Sequence, residues 1–161
     1  MLKLYEPRAA EILIWYQGLQ GYRYGLDDYE TVDSFQRKIN FGAVRKEKYG
    51  IFYLTNIHDP RGNAYGHCYF WDRKTRGRGQ KLQELMNEIM PVLNLHRITV
   101  IVPVQNRITA RWLIKNGFNL EGILRAYLMF QGMLHDCFIF AYYNKEIKKQ
   151  VETVESFPKR D

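Results

Sequence analysis

Between residues 74 and 79 the chain reads Lys74-Thr75-Arg76-Gly77-Arg78-Gly79. A strand-like run, residues 64–71, precedes this hexapeptide. Residues 80–92 follow it, with Leu82, Leu85, Met86, Ile89 and Met90 at helical spacing. Two glycines let the backbone turn tightly and approach a ligand without β-carbon interference. The amides that open the next helix, reinforced by its dipole, form a site for a phosphate group. Lys74, Arg76, Arg78 and Lys81 add positive charge, and Gln80 sits at the start of the helix. The arrangement suits a pyrophosphate. It lacks both the Lys-Ser/Thr ending of a P-loop and the third glycine of a dinucleotide fold, which disfavours nucleoside triphosphates and NAD. A solvated basic turn is the competing reading.

Outward from this loop the elements follow in order. Residues 2–5 alternate briefly before Pro7 and read as a short first strand. Residues 8–19 put Ile12, Trp15, Tyr16 and Leu19 on one helical face, and Gly18 and Gly21 mark the end of that helix. A second helix spans 31–39, with Thr31 or Asp33 as its N-cap. Val44, residues 49–56 and residues 64–71 form a strand group, broken by the turn Asp59-Pro60-Arg61-Gly62-Asn63. Residues 97–103 are a buried, β-branched strand. A helix over 109–116 stops at Asn116-Gly117, and strands 124–130 and 137–143 flank the turn Gln131-Gly132. The sum is one α/β domain over residues 1–145 with a mixed sheet, and a basic tail over 146–161.

Composition narrows the class. Charged residues at 25% and hydrophobic residues at 46% belong to a globular chain rather than a disordered one. No apolar run approaches the roughly 20 residues that span a bilayer, and Lys3, Glu6, Arg8 and Glu11 interrupt any leader-like start. A cytoplasmic protein with no membrane partner is expected. Cys68 and Cys137 lie in apolar sequence and read as two buried free thiols. The four histidines lack metal-site spacing, so no metal is expected. The net charge of +7 suits a polyanionic cofactor, and leaves nucleic acid or the ribosome surface open as a partner.

Three motifs carry a resemblance. Lys74-x-x-Gly77-x-Gly79 resembles the coenzyme A signature of the GNAT acetyltransferases, [Gln/Arg]-x-x-Gly-x-[Gly/Ala]; a register starting at Arg76 would instead put Lys81 in the small final position. The run Asn106-Arg107-Ile108-Thr109-Ala110-Arg111-Trp112-Leu113-Ile114-Lys115-Asn116-Gly117-Phe118 looks like the family's Asn-led helix with its Lys-x-Gly-Phe ending. Glu121-Gly122-x-x-Arg125, followed by Gly132 and Asp136, is similar to the RimJ/RimL type, the N-terminal acetyltransferases of ribosomal proteins. The match runs over about residues 64–143; the first sixty residues agree only in their order of elements.

The resemblance implies a GNAT-like single domain with a mixed, mostly antiparallel sheet flanked by helices. Acetyl-CoA would lie in a gap between two splayed parallel strands, 64–71 and 97–103. Amides from Gly77 to Lys81 would hold the pyrophosphate, main chain at Tyr69, Phe70 and Trp71 would pair with the pantetheine, and Asn106 would bind the arm from the far lip. The implied activity is acetyl transfer to a primary amine, with a protein N-terminus or lysine favoured. A small amine, a charged transfer RNA, or a non-catalytic acyl-CoA-binding module are the alternatives. The oligomeric state is left as monomer or homodimer.

The chain also departs from the pattern. Leu113 stands where many members carry an acidic Tyr, and no carboxylate lies in 64–71, where many place a general base. Thr109 either orients the thioester sulfur or caps a helix. His67 is a candidate base or a packed ring, and Asp136, with His135 beside it, is a candidate holder of the substrate ammonium. The aromatics of the first third, from Tyr22 to Tyr53, read mostly as core, with those near residues 21–28 also shaping the acceptor pocket.

Overall fold

Helix α1 (Ala9–Gln20) buries Ile12, Trp15 and Leu19, a stripe at the spacing its sequence shows. Helix α2 (Val32–Asn40) buries Phe35 and Ile39; of its two candidate caps, Thr31 serves, accepting from the Ser34 amide. The strands are β1 (Ala43–Glu47), β2 (Gly50–Thr55), β3 (Asn63–Phe70), β4 (Arg97–Pro103), β5 (Asn119–Phe130) and β6 (Met133–Tyr143), with α3 (Arg78–Val92) and α4 (Arg107–Lys115) between. These elements come from a computed structural model that describes residues 4–21, 26–72, 74–144 and 146–147. Among the described residues the sheet runs β1-β2-β3-β4-β6-β5, antiparallel except where β3 meets β4.

Helices cover both faces of this α/β domain. Phe52, Leu54, Ala64 and Ile98 pack with Leu82, Met86, Ile89 and Met90 of α3 and with Leu113 of α4. On the other face Val44, Ile51 and Tyr53 pack with Ile12, Trp15 and Leu19 of α1 and with Phe35 of α2. The alternation Ile51, Phe52, Tyr53, Leu54 feeds both cores in turn, as a strand buried on both faces must.

Several boundaries move. Of the expected first strand, residues 1–3 fall outside the described residues; Leu4 and Tyr5 are not strand, although the Tyr5 amide donates to Val44 O at 2.8 Å. Around Val44 a full edge strand forms, its outer positions Arg45, Lys46 and Glu47 charged as edge strands tend to be. Strand β5 starts at Asn119 rather than at residue 124, because two register shifts, at Leu120/Gly122 and Leu124/Leu128, break the alternation that would have announced it. Cys137 is fully buried, but Cys68 is exposed, since no β4 neighbour covers β3 at that point.

Candidate active site

Strands β3 and β4 pair at only three positions, Asn63↔Arg97, Ala64↔Ile98 and Tyr65↔Thr99. Past Tyr65, β3 stays hydrogen-bonded to β2 as far as Phe70, and β4 stays with β6 as far as Pro103. Each strand keeps its outer partner, so the two inner edges diverge. Gly66 sits at the crotch, where a β-carbon would come within 2.8 Å of Ile98 Cγ2. Thr99, only 2% exposed, fastens the paired end: its hydroxyl donates to Asn63 Oδ1 (2.8 Å) and accepts from Arg97 Nε (2.9 Å).

Helix α3 begins beyond the open end of this gap. Its cap, Gly77, is left-handed (φ 75°) and supplies no side chain to the helix amides. A β-carbon on Gly77 would meet nothing within 4 Å. The Lys81 amide already donates to Gly77 O at 3.0 Å. Of the expected span from Gly77 to Lys81, the Lys81 amide is thus already engaged within the helix.

The charged side chains frame the helix start. Arg78 stacks over Phe70 at 4.9 Å and donates to Asp72 O. Lys81 pairs with Glu84 at 3.0 Å, and Gln80 donates to the same carboxylate. Lys74 and Arg76 are exposed. Asp72 orders the loop by accepting from the Thr75 hydroxyl (2.7 Å) and the Lys74 amide (2.8 Å), which hold its carboxyl below the usual range. Trp71 lies past the end of β3 with its indole N–H on Lys48 O, while Tyr69 packs edge-on to it at 5.8 Å.

The fold as a whole recurs in solved acetyltransferases. Spermidine N-acetyltransferase from Vibrio cholerae, in complex with CoA and spermine, superposes with a TM-score of 0.67 at 18% identity, covering 88% of this chain and 95% of that one. A chimera of the Vibrio enzyme SpeG with hSSAT reaches 0.71 at 17% identity, covering 89% and 96%. Mycobacterium smegmatis RimJ, in complex with CoA-disulfide, gives 0.66 at 20% identity, covering 89% and 82%. No protein-family model matches the sequence, and comparison with curated proteins finds no significant match. This chain has the GNAT acetyltransferase fold.

Past the end of β4, Asn106 caps α4: its Oδ1 accepts from the Thr109 amide at 3.2 Å. The expected cap role thus falls to Asn106, and Thr109, two residues into the helix, keeps its hydroxyl for other work. Replacing Asn106 with Ala should cost about 1 kcal/mol, seen as a fall in Tm of roughly 2–4 °C. Asn106→Asp should restore that stability. A cofactor affinity that stays low in the Asp variant would identify the Asn106 amide as a ligand as well as a cap.

His67 occupies the gap-lining part of β3. Its ring stacks on Tyr53 at 4.6 Å, nearly parallel, and Nε2 lies 3.2 Å from Thr55 Oγ1. His67 is exposed as a residue, and the face of its ring packed on Tyr53 is the part that loses water. Desolvation by the surrounding protein holds its pKa near 4. The folded ring therefore releases its proton where the unfolded ring, with an ordinary pKa of 6.5, keeps it. Stability must then fall as pH drops from 6.5 towards 4. His67→Gln should flatten this acid-side loss in urea melts compared at neutral and acid pH. A neutral ring with so low a pKa is a feeble base near neutrality. Turnover of His67→Gln should fall less than about tenfold, or roughly 1.4 kcal/mol of barrier; a larger, pH-dependent loss would make His67 the base.

Asp136 is committed elsewhere. Its carboxylate accepts from the Ala126 amide (2.8 Å) and from Arg125 (2.5 Å), both of which lower its pKa. It braces the bulge where Ala126 turns to φ 47°, so both oxygens that were expected to hold an ammonium are already engaged. His135, next along β6, packs near Phe130.

One contact escaped sequence reasoning. Asp28, in the segment between α1 and α2, accepts from Gln131 N (2.9 Å) and Gly132 N (2.7 Å), while its own amide donates to Met129 O. Both turn residues are left-handed (φ 52° and 71°), which aims two successive amides at one anion. A latch thus joins the α1–α2 segment to the β5–β6 hairpin. Tyr22 and Tyr24, also expected near this pocket, fall outside the described residues.

Proposed function

We propose that the chain is an acetyl-CoA-dependent N-acetyltransferase acting on a primary amine, with a protein N-terminus or lysine as the favoured acceptor. The observation that carries this reading is the parting of β3 from β4 after Tyr65 and Thr99, with the uncapped start of α3 beyond it. Bound acetyl-CoA would supply the activated thioester. The chain's own contribution is binding, orientation and polarisation. The Gly79 and Gln80 amides would hold phosphate, and the β3 edge past Tyr65 would offer main-chain donors to a carbonyl. Thr109 stands near the lip with a hydroxyl for the sulfur end. With His67 a weak base, the neutral amine comes from the substrate's own equilibrium or through water.

RimJ-type acceptors, protein N-termini, rest on Glu121-Gly122-x-x-Arg125 with Gly132 and Asp136. A polyamine is the second reading: a spermidine N-acetyltransferase shares this fold, and the α1–α2 segment carries Asp27, Asp28 and Glu30, of which Asp28 forms the latch and Glu30 pairs with Lys38. The test is CoA binding by thermal shift, then thiol release with N-terminal peptides, polyamines and aminoacyl-RNA. Acceptance of peptides over polyamines supports the first reading, and the reverse supports the second. CoA binding with no acceptor turned over would leave a non-catalytic acyl-CoA-binding module, and absence of CoA binding would end the proposal.

A further inference from the structure

At the closed end of the gap lies an open cavity of about 580 Å³, within the roughly 300–1,000 Å³ usual for ligand sites. Tyr65 and Thr99, the last pair before β3 and β4 part, belong to its wall. Asn56, Asp59 and His96, at the foot of the same two strands, line it as well. Tyr65 and Thr99 alternate with Ala64 and Ile98, which are in the core beneath α3. The cavity therefore opens on the opposite face, the one that carries α1 and α2.

A chain of hydrogen bonds across four strands builds its wall. Asn63 Oδ1 accepts from the buried Thr99 hydroxyl, whose oxygen accepts from Arg97 Nε. The Arg97 guanidinium forks onto both oxygens of Glu121, and Glu121 also accepts from the Tyr143 hydroxyl. Glu121, which opens the Glu-Gly-x-x-Arg motif, thus neutralises Arg97. At the rim Asp59 accepts from the Arg61 amide (2.9 Å) and from Arg61 Nε (3.2 Å). Asp59 and Glu121 are each paired with an arginine, so a polycation would have to displace one to bind here. What remains uncommitted among the described residues is neutral. Asn63 spends Oδ1 on Thr99 and keeps its amide N–H groups to donate, while Tyr65 and His96 add a hydroxyl and a ring. A peptide main chain, with one donor and one acceptor per residue and no charge, matches such a wall.

We infer that this cavity is the subsite for the acceptor's main chain. A peptide lies in it with its N-terminal amine at the Tyr65–Thr99 end, and the Asn63 side-chain amide donates to one of its carbonyls. This rests on the acetyl-transfer reading above and names the acceptor within it.

The test starts with wild-type protein and acetyl-CoA. An alanyl tetrapeptide should give a kcat/KM about tenfold or more above that of alanine amide, through KM, because only the longer acceptor reaches the polar wall. Asn63→Asp keeps an acceptor for Thr99 and replaces the donor by a second carboxylate oxygen. KM for the tetrapeptide should then rise about tenfold with kcat held. Alanine amide and spermidine should not share that rise. Should Asn63→Asp melt early, His96→Trp fills the far end from an exposed position and should split the tetrapeptide from alanine amide in the same way. Equal kcat/KM for tetrapeptide and alanine amide in wild type would overturn the inference and leave acetyl transfer standing. An unchanged tetrapeptide KM in a folded variant would do the same, and so would a loss shared by all three acceptors, which points to packing. Turnover of no amine by wild-type protein would remove the functional reading and this one with it.

Discussion

Gly77→Val should abolish the stabilisation of this protein by CoA. At a ligand concentration a hundred times Kd, binding to the folded state alone is worth about 2.7 kcal/mol, and the variant should retain almost none of it. Two effects combine. Gly77 is left-handed at φ 75°, a conformation that costs an ordinary residue roughly 1–2 kcal/mol and a β-branched one no less. The new β-carbon also enters open space, with no atom within 4 Å beyond its chain neighbours, at the residue that caps α3. The free protein should therefore fold with a modest loss of stability, while phosphate is kept from the helix. Thermal shift with and without CoA measures both quantities. A wild-type shift in a folded Gly77→Val protein would show that the ligand does not use this helix start.

Gly79→Val should behave in the opposite way, by damaging the fold before any ligand is added. A β-carbon there would lie 1.9 Å from Asn116 Oδ1 and 2.5 Å from its Cγ. Asn116 ends α4, and its side-chain amide donates to Trp112 O at 2.7 Å. Relieving the clash means expelling that side chain or separating two helices. The expected cost is about 2–3 kcal/mol, a fall in Tm of roughly 5–10 °C. Asn116→Gly in the same chain should recover most of it, and thermal melts of the two single variants and the double variant measure the coupling. If the double variant melts no higher than Gly79→Val alone, the contact with Asn116 is not the cause.

These neighbouring glycines mark how far sequence reasoning reaches. Both stood out as small residues before an amphipathic helix, and the same argument, close ligand approach, covered both. The structure divides them, because what lies beside Gly79 is the end of another helix some 37 positions along. Helices α1 and α3 were readable from apolar spacing, α2 and α4 from their cap and stop residues, and β4 from its β-branched run. The cofactor side was readable for a related reason: its loop, helix start and Asn-led helix are contiguous motifs. What is assembled from separate segments stayed hidden. The register shifts in β5 erased its alternation, so its first five residues went unread. Asp136 looked like an available carboxylate until the bulge at Ala126 claimed it. On the acceptor side almost nothing is contiguous, and the acceptor is accordingly the part of the function least visible in the sequence.

The Asp28 latch has a consequence for how the chain assembles and opens. It joins residues 103 and 104 positions apart, and its acceptor and its donors belong to opposite flanks of the sheet. Such a contact forms only after both flanks have docked, late on the folding route. Severing it should hasten unfolding rather than slow folding. Hairpin tips are ordinarily among the least protected places in a protein. The amides of Gln131 and Gly132 should instead exchange with deuterium in step with each other, at the rate at which the α1–α2 segment lifts away.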